Sequence, residues 1–166
     1  MFGRPTRNRP DGAELPPVNL RAKAIALLAR REHSRAELAT KLARLSCDTA
    51  AIDALLDALT SENLLSERRA AQSIVRARSP RQGMMRVAGE LRARGIDGEL
   101  AGEMLRGLVD TEVERAGALW QRKYGAPAVD APSRARQMRF LQARGFSSDV
   151  IRAVVPAARK EAAVSD

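Results

Sequence analysis

The chain contains an internal repeat of about 50 residues, and this repeat restricts the possible folds more than any other feature of the sequence. Three similar segments begin at Leu42, Leu91 and Leu141, at offsets of 49 and 50 residues. Each segment holds a break (Ser46, Gly95, Gly145), then an apolar residue (Cys47, Ile96, Phe146), then a possible helix N-cap (Asp48, Asp97, Ser147). The pattern predicts one helix–turn–helix corner used three times, with Gly95 and Gly145 suited to the left-handed position that follows a helix.

Each corner is preceded by room for one further helix, so the repeat predicts three helices per unit and about nine in all. Apolar residues recur at helical spacing in these stretches, and helix-start signals precede them. The start signals are Ser34 with Glu37, Ser66, Ser79-Pro80, Thr111 with Glu114, and Pro132. No alternating five-residue strand with hairpin chemistry occurs. The sequence therefore predicts an all-α fold without β-sheet, arranged as an elongated, curved array of stacked repeats.

The predicted boundaries follow the repeat. We expect a disordered leader containing proline and arginine at 1–19, three-helix repeats at 20–65, 66–110 and 111–158, and a tail at 159–166. The opening residues contain no apolar run typical of a secretory signal, and no later stretch is long enough to span a bilayer. We expect a monomeric, cytoplasmic protein without membrane contact.

Residues needed for common catalytic chemistry are scarce. His33 is the single histidine and Cys47 the single cysteine, so the chain lacks the set for a zinc shell, a Ser–His–Asp triad or a Cys–His pair. No phosphate-binding glycine loop is present. We therefore predict a non-enzymatic protein with no cofactor and no metal, in which His33 is a capping or surface residue.

Positive charge is concentrated in the second repeat. The chain has a net charge of +9, and residues 66–96 contribute +6 of it, from eight arginines and two glutamates. Such density favours a polyanionic partner, although ordinary solvated helix faces are the alternative interpretation. The predicted binding residues are these eight arginines: Arg68, Arg69, Arg76, Arg78, Arg81, Arg86, Arg92 and Arg94.

Charge also alternates along the repeat. The middle helix of each unit is basic, whereas the last helices of the first two units carry Asp and Glu. If equivalent helices stack side by side, one surface of the array is basic and another is acidic. That arrangement would give a polyanion a single face to contact.

A helix-turn-helix transcription regulator is an alternative reading of the segment HSRAELATKL followed by DTAAIDALLDAL. A recognition helix has to enter the major groove among phosphates. The second of these segments carries aspartates and no Lys or Arg. Sequence-specific reading by that helix is therefore disfavoured, although non-specific phosphate contact elsewhere stays possible.

From Leu20 to Val155 the chain resembles the bacterial RecX family of recombination regulators. The resemblance is carried, in order, by LLARREHSRAELATKL, LLDALTSENLLSERRAAQSIVRARS, ELRARGI and RFLQARGFSSDVIRAVV. It implies a protein without catalytic activity that binds the RecA–single-stranded-DNA filament. It further implies inhibition of the filament's ATPase, strand-exchange and coprotease activities, and hence roles in DNA repair and the SOS response. General DNA binding and a plain helical scaffold are the competing hypotheses.

Overall fold

The computed structural model describes residues 19–158 and contains nine α-helices and no strand within that range. The all-α prediction is confirmed for these residues; the predicted tail and all of the leader except Asn19 lie outside them. The helices are α1 (Leu20–Leu28), α2 (Arg35–Leu42), α3 (Thr49–Ser61), α4 (Glu67–Arg78), α5 (Met84–Ala93), α6 (Gly98–Val109), α7 (Glu112–Lys123), α8 (Ala131–Gln142) and α9 (Ser148–Val154). No helix of residues 19–158 is long and apolar enough to cross a membrane.

The helices form three modules, each with its own hydrophobic core. Module 1 (α1–α3) packs around Leu38, Leu42 and Leu56, which are fully buried. Module 2 (α4–α6) packs around Val87 and Leu91. Module 3 (α7–α9) is built around the larger side chains Trp120, Leu141 and Phe146, which pack with smaller aliphatic neighbours. The repeat in the sequence is thus a repeat of independent cores, which is the organisation of a helical array.

Helix starts follow short-range capping signals at most positions. The side chains of Asn19, Ser34, Asp48, Ser66, Asp130 and Ser147 each accept a hydrogen bond from a backbone N–H in the first turn. Gly95 and Gly145 have φ of +73° and +81°, which confirms the predicted left-handed position after α5 and α8. Ser46 at the first corner has no such backbone conformation.

Two start signals in the sequence are wrong in detail. Ser79-Pro80 does not begin a helix, because Ser79 is the C-cap of α4 and α5 starts at Met84 after Gly83. The intervening turn is held by Arg115, which donates to the carbonyl oxygens of Ser79 and Gln82 at 2.8 and 2.9 Å. Thr111 makes no capping bond, since its hydroxyl donates to the carbonyl of Leu108 instead.

The middle helices of successive modules meet end to end. The hydroxyl of Ser34, at the start of α2, donates to the carbonyl of Arg94 at the end of α5. One module later, the N–H of Gly83 at the start of α5 donates to the carbonyl of Arg144 at the end of α8, at 2.8 Å. Carbonyl groups left free at one helix end are thereby paired with donors at the start of the next middle helix.

A glutamate at the first position of the following module completes each junction. Glu67 of α4 accepts from the backbone N–H of Arg35, and Glu112 of α7 accepts from that of Met84 at 2.7 Å. The equivalent position in module 1 is Leu20, which follows no earlier module among the described residues. The same junction therefore occurs twice, and in each case the glutamate accepts a hydrogen bond at the start of the middle helix of the preceding module.

The end-to-end order replaces the side-by-side stacking on which the one-sided charge prediction depended. The basic middle helices contact one another at their ends, so a shared basic face is not produced by lateral stacking. Which charges are accessible depends instead on how each arginine is used at the junctions.

Candidate nucleic-acid interface

Five of the eight predicted arginines are engaged in contacts within the protein. Arg68 forms a two-bond ion pair with Glu103, and Arg69 pairs with Glu32 of module 1 at 2.8 Å. Arg78 and Arg94 both contact Glu90. Arg86 donates to the carbonyl of Ala143 across the junction between modules 2 and 3. These side chains have structural contacts that any ligand would have to share or break.

Arg76, Arg81 and Arg92 make no ion pair or side-chain hydrogen bond within the described part of the chain, and all three are exposed. The structure does not bring them to one point. Arg76 and Arg81 lie near the end of module 2 that faces module 3. Arg92 lies at the other end of α5, about 12 Å along the helix from Met84 at 1.5 Å per residue.

Two adjoining clefts beside the junction of modules 1 and 2 are lined by basic side chains. One, of about 310 Å³, lies between α2 and the end of α5 and is lined in part by Lys41, Arg44 and Arg94. The other, of about 400 Å³, lies between α1 and α2 and is lined by Leu27, Arg30, Arg31, His33 and Lys41. Because Lys41 lines both, the clefts are neighbours on one surface, which we call the Lys41 surface.

Among residues 19–158, Glu37 is the one carboxylate that lines the Lys41 surface. It pairs with Arg31 and also contacts Arg94 at 3.6 Å. The hydrogen bond from Arg31, followed by the nearby positive charges, lowers the pKa of the Glu37 carboxyl group against the opposing effect of burial. The predicted capping box at Ser34 is consequently half formed: Ser34 accepts from the N–H of Glu37, but the glutamate side chain is directed to arginines.

His33 is buried in the turn between α1 and α2, so the prediction of a surface residue is wrong. Its Nδ1 lies 3.0 Å from the carbonyl oxygen of Arg31. Burial, together with the charges of Arg31 and Lys41, lowers the pKa of His33 below its usual value. The lowered pKa favours the neutral form of the imidazole in the cleft that it lines.

The opposite side of the same junction is acidic. A cleft of about 420 Å³ there is lined by Asp53, Glu67 and Asp97, and Arg35 is the one cation lining it in the described part of the chain. Ala36 and Gly95 line both this cleft and the α2–α5 cleft of the Lys41 surface, so the two lie on either side of the point where α2 and α5 meet. The junction therefore has a basic side and an acidic side.

Sequence reasoning missed the Lys41 surface as a site. The sequence shows the basic character of α2, but charge density along the chain is highest in module 2 and so favours the arginines there. Lys41 and Arg44 can be identified as unneutralised only when Glu37 is known to pair with Arg31 and Arg94. Arg94 is 57 residues from Glu37 in the sequence. A local signal existed in the three-residue spacing of Lys41, in the last turn of α2, and Arg44, just beyond the end of that helix.

The order of the three modules matches the models of one protein family. Residues 21–59 match the first three-helix domain of RecX, residues 66–105 the second, and residues 110–155 the third. The chain belongs to the RecX family. The family resemblance inferred from the sequence is thus confirmed over all three modules.

Relatives in the family are similar over nearly their whole length. The chain is 47% identical to the regulatory protein RecX of Leptothrix cholodnii over 146 residues, covering 88% of this chain and 93% of that protein. It is 46% identical to the regulatory protein RecX of Herminiimonas arsenicoxydans over 140 residues, covering 84% and 93%. The crystal structure of RecX from Lactobacillus salivarius shares the fold, with a TM-score of 0.70 at 23% identity, covering 81% of this chain and 91% of that one.

Proposed function

We propose that this chain binds the RecA–single-stranded-DNA filament and inhibits its ATPase, strand-exchange and coprotease activities without catalysing a reaction itself. The observation that carries the proposal is the match of all three RecX domains in order, with relatives that are named regulatory proteins. A filament containing DNA is strongly anionic, and the +9 chain has a complementary charge.

Within that proposal, the arginines of module 2 contact the filament. Arg76, Arg81 and Arg92 are the members of the predicted set that are exposed and unengaged among residues 19–158, so they can form new contacts without breaking existing ones. The five engaged members, Arg68, Arg69, Arg78, Arg86 and Arg94, are less suitable probes. Reversing the charge of Arg86 or Arg94 would disturb a module junction as well as a binding surface.

The test is ATP hydrolysis by RecA on single-stranded DNA, with the full chain added in increasing amounts. We expect the unaltered protein to lower the rate. A variant with Arg76→Glu, Arg81→Glu and Arg92→Glu should require roughly tenfold more protein for the same inhibition, because each exposed charge contact contributes up to about 1 kcal/mol.

The matched control reverses the charge of three other arginines, which are not among the eight predicted binding residues and have no ion-pair partner within the described residues. The control substitutions are Arg106→Glu, Arg122→Glu and Arg139→Glu. It changes the net charge equally, so it separates general charge from local contact. Unchanged ATP hydrolysis with the unaltered protein would reject the proposed function. Equal inhibition by both variants would reject only the arginine assignment.

Helix-turn-helix regulation of transcription, the alternative, is opposed by the charge on α3. That helix contains no Lys or Arg, and its Asp53 and Asp57 pair with Arg35 of α2. A helix presenting carboxylates is poorly suited to a groove bordered by phosphates.

A further inference from the structure

The Lys41 surface holds positive charge that the protein does not neutralise. Five cationic side chains line its two clefts against the single carboxylate of Glu37. Glu37 is already engaged by Arg31 and Arg94. Arg30, Lys41 and Arg44 have no acidic partner among residues 19–158. An uncompensated cluster of this kind stores repulsion that an anion would relieve.

The lining residues indicate which kind of anion fits. Lys41 lies in the last turn of α2, and Arg44 follows three residues later in the turn after the helix. Arg30 lines the same cleft as Lys41, so the three cations lie along the two adjoining clefts. A row of separated cations suits a chain of separated charges better than one small ion. Within the described residues no aromatic side chain lines either cleft, so these residues offer no platform on which a base could stack.

The acidic cleft on the other side of the junction limits the side from which a polyanion can approach. Asp53, Glu67 and Asp97 would repel a polyanion that approached from that side. A nucleic-acid strand is therefore restricted to the basic side, along the line from α1 across α2 to the end of α5.

We propose that the Lys41 surface binds the phosphodiester backbone of nucleic acid in the absence of any other protein, with Arg30, Lys41 and Arg44 as the phosphate contacts. Module 1, which contributes only +1 between residues 20 and 65, thus carries a binding site that net charge by segment does not reveal. The inference is independent of the proposed function, since it concerns the chain and nucleic acid alone. It adds a second contact surface to the arginines of module 2.

The experiment measures fluorescence anisotropy of labelled oligothymidylate, and of a labelled duplex, titrated with the full chain at several salt concentrations. The variant is Arg30→Glu, Lys41→Glu and Arg44→Glu. We expect roughly tenfold weaker binding of oligothymidylate at low salt. Loss of three phosphate contacts should also make the slope of log K against log salt shallower by about 2, at about 0.7 per contact for a single strand.

The control is again Arg106→Glu, Arg122→Glu and Arg139→Glu, which should retain most of the affinity and the slope. A neutral variant, Arg30→Gln, Lys41→Gln and Arg44→Gln, should weaken binding in the same way, and covers the case in which the charge reversal impairs folding. Circular dichroism reports helix content for all of them. Parallel losses for duplex and single strand assign the site to either form, whereas loss for oligothymidylate alone assigns it to single strands.

Three results would overturn the inference. They are absence of binding by the unaltered chain, equal losses in the variant and its control, and displacement of the oligonucleotide by polyglutamate at the same concentration of charge. The last would mean that the surface recognises carboxylates of an acidic protein. If inhibition of RecA persists in a chain that fails these tests, the proposed function stands and only this surface is rejected.

Discussion

Replacing Gly145 with alanine is expected to lower the free energy of unfolding by about 2 kcal/mol or more. Gly145 has a φ of +81°, and an L-residue in this region costs about 1–2 kcal/mol. An added Cβ would also lie 2.6 Å from Cβ of Arg86 and 2.7 Å from its backbone nitrogen, so the start of α5 would have to move. Urea unfolding of the full chain measures the change.

The control is the same substitution at Gly89, in the middle of α5. That glycine is exposed and an added Cβ meets nothing within 4 Å. Gly89→Ala should therefore stabilise the protein by up to about 1 kcal/mol, as expected for an exposed helix interior. If the two substitutions shift the unfolding midpoint in the same direction and by similar amounts, α5 and α8 do not meet as the structure shows.

Replacing Glu112 with alanine should cost about 1–3 kcal/mol. Glu112 is 5% exposed, and its carboxylate accepts the backbone N–H of Met84 at 2.7 Å. Removing the acceptor leaves a donor at the start of α5 without a partner, which is the expensive form of a lost hydrogen bond. Glu112→Gln should retain a large part of the stability because the amide oxygen can still accept, although without charge.

Glu114→Ala is the matched control for Glu112→Ala. Glu114 lies in the same first turn of α7, but it is exposed and makes no side-chain contact among the described residues. Its removal should change the free energy of unfolding by no more than about 0.5 kcal/mol. A thermal or urea midpoint that responds equally to both substitutions would show that Glu112 does not hold modules 2 and 3 together.

The module fold could be predicted from sequence because its signals are local. Gly95 and Gly145 predict left-handed turns after helices, and Ser34 and Ser66 predict helix starts. Each of these residues lies within a few positions of the structure that it determines. The repeat then fixes the number of helices. Where local signals compete with tertiary contacts they mislead, as at Ser79-Pro80, where Arg115 holds the turn.

The candidate site could be predicted only in part, because charge along the chain does not show which charges are neutralised. Arg68 and Glu103 are 35 residues apart, and Arg69 and Glu32 are 37 apart, yet each pair is in contact. These partners are brought together by module packing. Among residues 19–158 the same packing leaves Lys41 and Arg44 without a carboxylate partner, which the neighbouring sequence does not reveal.

The end-to-end junctions also could not be predicted from local sequence patterns. Helical periodicity identifies which face of α2 is buried, but it does not say what meets the helix end. The repeated occurrence of Glu67 and Glu112 at the first position of α4 and α7 is the sequence trace of the junction. The role of these two glutamates is visible only in the structure, where they accept hydrogen bonds from the backbone N–H groups of Arg35 and Met84.

The most direct test of the proposed role is to compare binding of the full chain to three immobilised targets: RecA–single-stranded-DNA filaments, bare single-stranded DNA, and RecA without DNA. We predict that the complex with filaments forms at the lowest protein concentration and dissociates most slowly, since the filament offers both protein and phosphate contacts. Affinity for the filament no greater than that for bare DNA would contradict the proposal and identify the chain as a general nucleic-acid-binding protein.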